Sequence, residues 1–229
     1  MEARTALVTG GAGAIGAAIV AALERDGYRV AVLDRDAEIA RDLSSEAETR
    51  AAAREMLERH GRCDALVHAA AAFDQGELEA VDAATWRRVQ AVNVEAALWL
   101  CQELVPGMRE RRFGRIVLVT SDTVWRPPAP HLLAYITSKA ALEGMGRSLA
   151  SALGGDGITV NCVAPGLTDT PAAREGMPDA AFDAVRAAQA LDRTLVPDDV
   201  AATVAYLASE RAESLTGQTL SVDGGLVMR

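Results

Sequence analysis

The sequence predicts an α/β fold in which helices cover both faces of a parallel β-sheet. Short apolar segments of β type alternate with longer segments in which apolar residues recur at helical spacing. The strand-like segments are continuously apolar rather than alternating, which is typical of strands buried on both faces. Such an alternation of strands and helices indicates a parallel sheet joined by helical crossovers.

Six strands and six helices are predicted in this alternation. The strands span residues 5–9, 30–34, 65–69, 115–120, 159–164 and 219–222. The helices span residues 14–26, 46–60, 82–111, 134–154, 179–190 and 198–209. The first helix illustrates the pattern, because its apolar stripe falls at helical spacing and a glycine follows its end: Ile15, Ala18, Ile19, Ala22, Leu23 and Gly27.

One interval is too short for this pattern. Only residues 35–41 separate Asp34 from Asp42, whereas a crossover between parallel strands needs about a dozen residues. The next strand is therefore either a short edge strand reached by a tight connection or absent. Because no repeat, low-complexity segment or linker divides the chain, we expect residues 1–229 to form one domain.

Composition limits the classes of partner. The chain has 229 residues, is half hydrophobic and carries a net charge of −9 with a pI of about 4.9. Since no Lys/Arg cluster is present, we expect neither a nucleic-acid nor a membrane partner. Three cysteines in apolar segments indicate free thiols in a reducing compartment. With a strand predicted from Thr5 onward and no apolar run of membrane-spanning length, we expect a cytoplasmic protein. The three histidines have no metal-ligand spacing, so no metal site is expected.

A glycine-rich segment joins the first strand to the first helix. Its sequence is Thr9-Gly10-Gly11-Ala12-Gly13-Ala14-Ile15-Gly16. Glycines allow a close approach of the backbone to a ligand, and free N–H groups at a helix start attract a pyrophosphate. The segment therefore predicts a dinucleotide-binding turn, with a purely structural tight turn as the alternative.

The end of the second strand bears on the choice of dinucleotide. A carboxylate at Asp34 can accept hydrogen bonds from ribose hydroxyls and would repel a 2′-phosphate, which favours NAD over NADP. Arg35 is the opposing signal, because a guanidinium can bind a 2′-phosphate; alternatively it is a solvated loop charge. We expect Asp42 and Leu43 near the adenine.

Lys139 is the only lysine of the chain, and the other 22 of its 23 lysine and arginine residues are arginine. It stands four residues after Tyr135, so the two share one face of the predicted helix. An adjacent ammonium favours a phenolate and is predicted to lower the tyrosine pKa, making the pair a proton-transfer device. The alternative is an ordinary pair on a helix surface.

These features, taken in order along the chain, resemble the short-chain dehydrogenase/reductase family. The resemblance covers essentially the whole chain and implies a doubly wound Rossmann fold with a seven-stranded sheet, a nicotinamide cofactor and a homotetramer or homodimer. The residues that carry it are Thr9, Gly10, Ala14, Gly16, Asp34, Asn93, Ser121, Tyr135, Lys139, Pro165, Gly166, Thr216-Gly217-Gln218 and Val222-Asp223-Gly224-Gly225.

The resemblance implies a role for each catalytic residue. Tyr135 is expected to be the general acid/base, and Lys139 to lower its pKa and bind the nicotinamide ribose. Ser121 would hold the substrate oxygen, and Asn93 would help to place a water that connects Lys139 to solvent. Asp122 adjoins this serine, but its carboxylate would repel a developing alkoxide.

The cofactor contacts follow from the same resemblance. Beyond the fifth predicted strand, the backbone at Thr168 and the hydroxyl of Thr170 would hold the carboxamide, although Thr170 could instead cap the next helix. The expected cofactor-binding residues are Thr9, Gly10, Gly13, Ala14, Ile15, Gly16, Asp34, Asp42, Leu43, Ala69, Ala70, Tyr135, Lys139, Pro165, Gly166, Thr168 and Thr170.

One segment departs from the family. Its Asn-Asn-Ala-Gly sequence is replaced by His68-Ala69-Ala70-Ala71, which puts cofactor affinity and local stability in question. His68 either supplies one of the missing hydrogen bonds or is an ordinary buried histidine with its partners satisfied.

The predicted activity is NAD(P)-dependent interconversion of a neutral, fairly hydrophobic secondary alcohol and its ketone. Several short segments are similar to dehydrogenases of aryl or cyclic secondary alcohols. An acyl-carrier 3-ketoacyl or polyketide ketoreductase and a non-catalytic NAD(H)-binding sensor are the alternatives. The residues expected to contact substrate are Phe73, Trp125, Leu133 and Met177.

Overall fold

The structure is a computed structural model that describes residues 3–228. Within these residues the fold is built on a seven-stranded, all-parallel sheet. The strand order is β3-β2-β1-β4-β5-β6-β7. From the centre of the sheet, the chain adds strands on one side as far as β3 and then, starting with β4, on the other side. The strands are β1 (Thr5–Thr9), β2 (Arg29–Asp34), β3 (Ile39–Ala40), β4 (Ala65–His68), β5 (Gly114–Val119), β6 (Ile158–Pro165) and β7 (Thr219–Val222). This is the doubly wound topology that the sequence predicted.

Helices pack on both faces of the sheet. They are α1 (Ala14–Arg25), α2 (Glu46–His60), α3 (Ala83–Gln90), α4 (Ala96–Arg111), α5 (Leu133–Leu153), α6 (Pro171–Gly176), α7 (Asp179–Ala188) and α8 (Pro197–Ala208). Successive residues of a strand point to opposite faces, so Leu7 packs among α2, α4 and α5 while Val8 packs among α1 and α8. Burial on both sides explains why the strands are continuously apolar.

The short interval after β2 contains an edge strand, the first of the two alternatives. Ile39 pairs with Leu33 and Ala40 with Asp34, both at the end of β2. Because β3 lies beside only these two residues, the chain returns by a short step rather than by the length of the sheet. A tight connection over residues 35–38 is therefore enough, and no crossover helix is needed.

The predicted helix over residues 82–111 is interrupted. A π-helical turn, Ala91–Glu95, separates α3 from α4 and carries the buried Asn93. The prediction also missed α6, which begins with a threonine cap and a proline in the first turn. That pair is a recognisable start signal, because Thr170 satisfies a free N–H and Pro171 has none to satisfy.

Two further findings concern the cysteines and the helices. Cys63, Cys101 and Cys162 are buried and unpaired, as predicted. Within residues 3–228, no helix combines the length and the apolarity needed to cross a bilayer.

Candidate functional site

A cleft of about 1060 Å³ opens at the carboxyl ends of the strands, where the strand order reverses. In open parallel sheets this edge is the usual position of a nucleotide. Eleven of the predicted cofactor-binding residues line it: Gly10, Gly13, Ala14, Ile15, Gly16, Asp34, Asp42, Leu43, Ala69, Ala70 and Thr170.

The glycine turn forms the floor of this cleft. Gly10 has a φ of +70°, and a Cβ there would lie 2.7 Å from the Ala70 backbone. A Cβ on Gly16 would lie 2.0 Å from the Gly10 carbonyl oxygen, so both positions require glycine. Gly13 caps α1 without a side-chain hydrogen bond. The N–H groups of the first turn are therefore available to an anion, and the turn fits a pyrophosphate.

Asp34 ends β2 and lines the cleft beside the glycine turn. Its Oδ2 accepts a hydrogen bond from the Ala12 N–H (3.1 Å) and its Oδ1 accepts one from the Arg35 N–H (2.7 Å). Asp42 lies opposite, and hydrogen bonds from the backbone and then the hydroxyl of Ser44 hold its pKa below the ordinary value. These carboxylates share the region with Arg35, so groups of both signs line it.

Thr9 and His68 organise the strand ends under the cleft. Thr9 Oγ1 accepts hydrogen bonds from the N–H groups of Ala69 (3.2 Å) and Ala70 (3.1 Å) and lies 3.0 Å from His68 Nδ1. His68 Nε2 lies 3.2 Å from the Asn93 carbonyl oxygen. Burial, then the Lys139 charge, lowers the His68 pKa to about 4. The histidine therefore supplies two tertiary hydrogen bonds in place of the missing asparagine.

Asn93 ties the segment after β4 to α5. Its Oδ1 accepts from the Ala72 N–H (2.7 Å), and its Nδ2 donates to the Ala72 carbonyl (3.1 Å) and to Ser138 Oγ (2.9 Å). Both amide hydrogens are thus used by protein atoms. The side chain positions the residues around it, and only an oxygen lone pair remains for the predicted water.

Ser121 and Tyr135 lie together beside the cleft. Ser121 Oγ accepts hydrogen bonds from the Thr123 N–H (3.2 Å) and hydroxyl (2.9 Å), which fixes its position. Burial raises the pKa of Tyr135 to about 12; a hydrogen bond with Ser121 opposes this and the Asp122 charge adds to it. Phe73 stands edge-on to the Tyr135 ring, with centroids 4.7 Å apart.

Lys139 is buried beneath the tyrosine, only 2% exposed. Its Nζ donates to the Val119 carbonyl (2.8 Å) and lies 5.6 Å from the Tyr135 ring centroid. Burial lowers its pKa to about 8, with Cys162 opposing the shift. The prediction of a lowered Tyr135 pKa is wrong for this structure, because burial raises that pKa and Lys139 is not among the groups that shift it.

Asp122 is a further titratable group at the site. Its Oδ1 lies 3.5 Å from Ser121 Oγ, and its Oδ2 lies 3.2 Å from where a Cβ on Gly166 would be. Burial, followed by the neighbouring Asp223 carboxylate, raises its pKa to about 7. The sequence singled it out only as a group unsuited to holding an alkoxide.

The segment after β6 forms another side of the site. Gly166 donates its N–H to the Val222 carbonyl (2.9 Å), and Thr168 Oγ1 donates to the Gly166 carbonyl (3.0 Å). Thr170 Oγ1 caps α6 by accepting from the Ala173 N–H (3.2 Å), as the alternative interpretation stated. Thr170 nevertheless also lines the cleft; Pro165, Gly166 and Thr168 do not.

The predicted substrate residues differ in position. Phe73 lines the cleft, whereas Trp125, Leu133 and Met177 lie outside its lining. Residues that line it and were not predicted include an ion-paired Asp74 and Arg88. Arg88 comes from α3, and no local motif marks it as part of a site. The other unpredicted lining residues are Ala12, Leu33, Arg41, Ser44, Ala71, Ala72, Val92, Pro171 and Ala172.

Comparisons with known proteins cover nearly the whole chain. A family model described as enoyl-(acyl carrier protein) reductase matches residues 10–227. The probable galactose dehydrogenase GalD of Rhizobium meliloti (strain 1021) is 35% identical over 97% of this chain and 94% of its own. The D-xylose 1-dehydrogenase of Caulobacter vibrioides (strain NA1000 / CB15N) is 32% identical over 98% and 96%. A solved blue fluorescent protein from a metagenomic library, in complex with NADPH, has a TM-score of 0.90 and 31% identity over 98% of each chain.

Proposed function

Because the chain belongs to the short-chain dehydrogenase/reductase family, whose members are NAD(P)-dependent oxidoreductases of CH–OH groups, we propose that it interconverts a neutral secondary alcohol and its ketone. The observation that carries the proposal is the meeting of Ser121 and Tyr135 beside the cleft, above the buried Lys139. A hydroxyl donor and a phenol side by side suit a carbonyl or hydroxyl oxygen.

A nicotinamide cofactor held in the cleft lined by Gly10, Gly13 and Gly16 would supply or accept the hydride at the reacting carbon. Ser121 orients the substrate oxygen, and Tyr135 gives it a proton in reduction or takes one in oxidation. With a pKa of about 12, Tyr135 is a proton donor at neutral pH. At neutral pH the protonated phenol is therefore ready to donate its proton in ketone reduction. Alcohol oxidation needs the phenolate, so its rate should increase as the pH rises.

Replacing Tyr135 tests the proposed chemistry. Tyr135→Phe keeps the ring that packs on Phe73 but removes the proton, so kcat should fall by about 10²–10⁴-fold with little change in cofactor affinity. Tyr206→Phe, at a partly exposed position on α8, is the matched control and should retain parent turnover. Near-parent turnover by Tyr135→Phe would refute the assignment.

We propose NAD as the cofactor because a carboxylate at the end of β2, Asp34, would accept hydrogen bonds from ribose hydroxyls and repel a 2′-phosphate. Arg35 and Arg41 also line this end, and the similar fluorescent protein binds NADPH. The parent should bind NADH with a lower dissociation constant than NADPH. Asp34→Ala should reduce the difference between the two dissociation constants. Arg35→Ala is the comparison, since a preference for NADPH that this variant abolishes would reverse the proposal.

The substrate proposed is neutral and fairly hydrophobic, because Phe73 presents an apolar ring beside Tyr135. We also propose that the protein acts in the cytoplasm as a homotetramer or homodimer, which light scattering on the purified chain would measure. A single mass equal to the monomer would exclude both assemblies.

Reduction of a 3-ketoacyl thioester is the second candidate function. A relative, the acetoacetyl-CoA reductase of Allochromatium vinosum, is 31% identical over 99% of this chain and favours it, whereas the net charge of −9 disfavours docking of an acidic carrier protein. Acetoacetyl-CoA assayed beside cyclohexanone separates the two. Cofactor binding without turnover of either ketone or of secondary alcohols would instead support a sensor.

A further inference from the structure

Asp122 is a buried carboxyl that the surrounding protein leaves poorly satisfied. It is 6% exposed, and the groups that favour its charged form within residues 3–228 are the Ser121 hydroxyl, at the long distance of 3.5 Å, the Thr123 N–H, which Ser121 Oγ also accepts, and the more distant Arg126 charge. Asp223, its buried neighbour, accepts instead from the N–H groups of Gly225 (3.0 Å) and Val227 (2.9 Å). Buried carboxyls normally have such partners. Because Asp122 has no close side-chain donor of its own, its carboxyl retains acceptor capacity for a group outside the protein.

The position of Asp122 indicates which residues of the site an external group bound to it would contact. It follows Ser121 directly, and its charge acts on the Tyr135 phenol. Ser121 is held independently by Thr123 (2.9 and 3.2 Å), so the long contact is not needed to orient the serine. The carboxyl is therefore a second polar point of the site rather than a support for the first.

The distance between the Ser121 hydroxyl and the Asp122 carboxyl limits the kind of ligand that could contact both. Ser121 Oγ and Asp122 Oδ1 are 3.5 Å apart, so groups bound to them sit on neighbouring atoms of one small molecule. A carboxyl beside a second carboxyl, Asp223, attracts a hydrogen-bond donor and repels an anion. A hydroxyl meets both conditions, whereas a substrate carboxylate or phosphate does not.

We propose that Asp122 accepts a hydrogen bond from a hydroxyl on the carbon next to the reacting one, so that the substrate is a neutral vicinal diol or the matching α-hydroxy ketone. This inference rests on the proposed secondary-alcohol function and narrows its substrate class. The rest of the substrate can remain apolar where it meets Phe73.

The test compares two substrates that differ by one hydroxyl, trans-1,2-cyclohexanediol and cyclohexanol. The parent should oxidise the diol with a kcat/KM about tenfold or more above that of cyclohexanol, the effect of one charge-assisted hydrogen bond. Asp122→Ala should abolish this preference by slowing the diol alone. Asp122→Asn retains an acceptor oxygen and should keep part of the preference, and Asp192→Ala, a highly exposed carboxylate, should keep all of it.

The outcomes separate the two proposals. Equal losses for both alcohols in Asp122→Ala would make the residue a positioning group for Ser121 and overturn the inference, as would a parent without preference for the diol. Oxidation of cyclohexanol in either case leaves the proposed function standing. Failure of the parent to oxidise either alcohol or reduce either corresponding ketone overturns the proposed function and the inference with it.

Discussion

Acidification from pH 6.5 to pH 4 is expected to destabilise the fold through His68. Thr9 Oγ1 already accepts two backbone N–H groups, so its own proton is directed at His68 Nδ1. The ring is therefore neutral, with its hydrogen on Nε2 facing the Asn93 carbonyl. Protonating Nδ1 would place two donors against each other in a fully buried site near Lys139.

The magnitude follows from the two pKa values. The ordinary histidine pKa is 6.5, and burial followed by the Lys139 charge lowers that of His68 to about 4. Between these values the unfolded chain binds one more proton than the folded one, so stability falls by about 1.4 kcal/mol per pH unit. His68 alone should remove about 3 kcal/mol by pH 4 and nothing above pH 6.5. Because small proteins are stable by about 5–15 kcal/mol, this loss is measurable.

Urea unfolding followed by circular dichroism between pH 7 and pH 4 measures the effect. The variant His68→Asn should lose about 1 kcal/mol at pH 7 through a missing hydrogen bond, but its stability should then fall less steeply with acid. His131→Asn, at a partly exposed position, should keep the parent slope. Parallel slopes for the parent and His68→Asn would refute the reasoning.

Three further substitutions test the surrounding chemistry. Lys139→Arg should lower kcat by about 10²-fold in steady-state assays, because a planar guanidinium cannot replace a compact buried donor to the Val119 carbonyl; parent-like kcat would contradict this. Asp122→Asn removes a charge that raises the Tyr135 pKa, so the pH–rate profile of alcohol oxidation should move to lower pH, and a move to higher pH would be inconsistent with that coupling. Asp64→Asn should cost about 3 kcal/mol in urea unfolding, because this fully buried carboxylate binds Arg62 in a bidentate pair; a loss below about 1 kcal/mol would mean the pair is weakly coupled to folding.

The parallel sheet was predictable because its strands are buried on both faces. Burial of Leu7 and Val8 on opposite sides requires a continuous apolar run, which is visible in the sequence. The two-residue β3 was not predictable by the same route, since pairing with Leu33 and Asp34 depends on a turn rather than on apolar pattern. The π-helical turn at Asn93 was missed because its residues suit a regular helix equally well.

The candidate site was predictable where motifs are local and less so where partners are distant. The glycine turn and the spacing of Tyr135 and Lys139 are local features. The hydrogen bonds of His68 join segments far apart in the chain, and no spacing rule gives them. The pKa of Tyr135 depends on burial, on the opposing Ser121 hydrogen bond and on the Asp122 charge, and these contributions exist only once the chain is folded.

The burial of the one lysine has a consequence for chemical modification. Amine-directed reagents find no other side-chain target in this chain, and Lys139 is shielded and holds the Val119 carbonyl. Among side chains, cross-linkers, fluorophores and supports that react with amines can therefore attach only to Lys139, at the centre of the site and after the fold has opened; the α-amino group is their other target. The rate at which such a reagent inactivates the folded protein would measure how often α5 separates from β5.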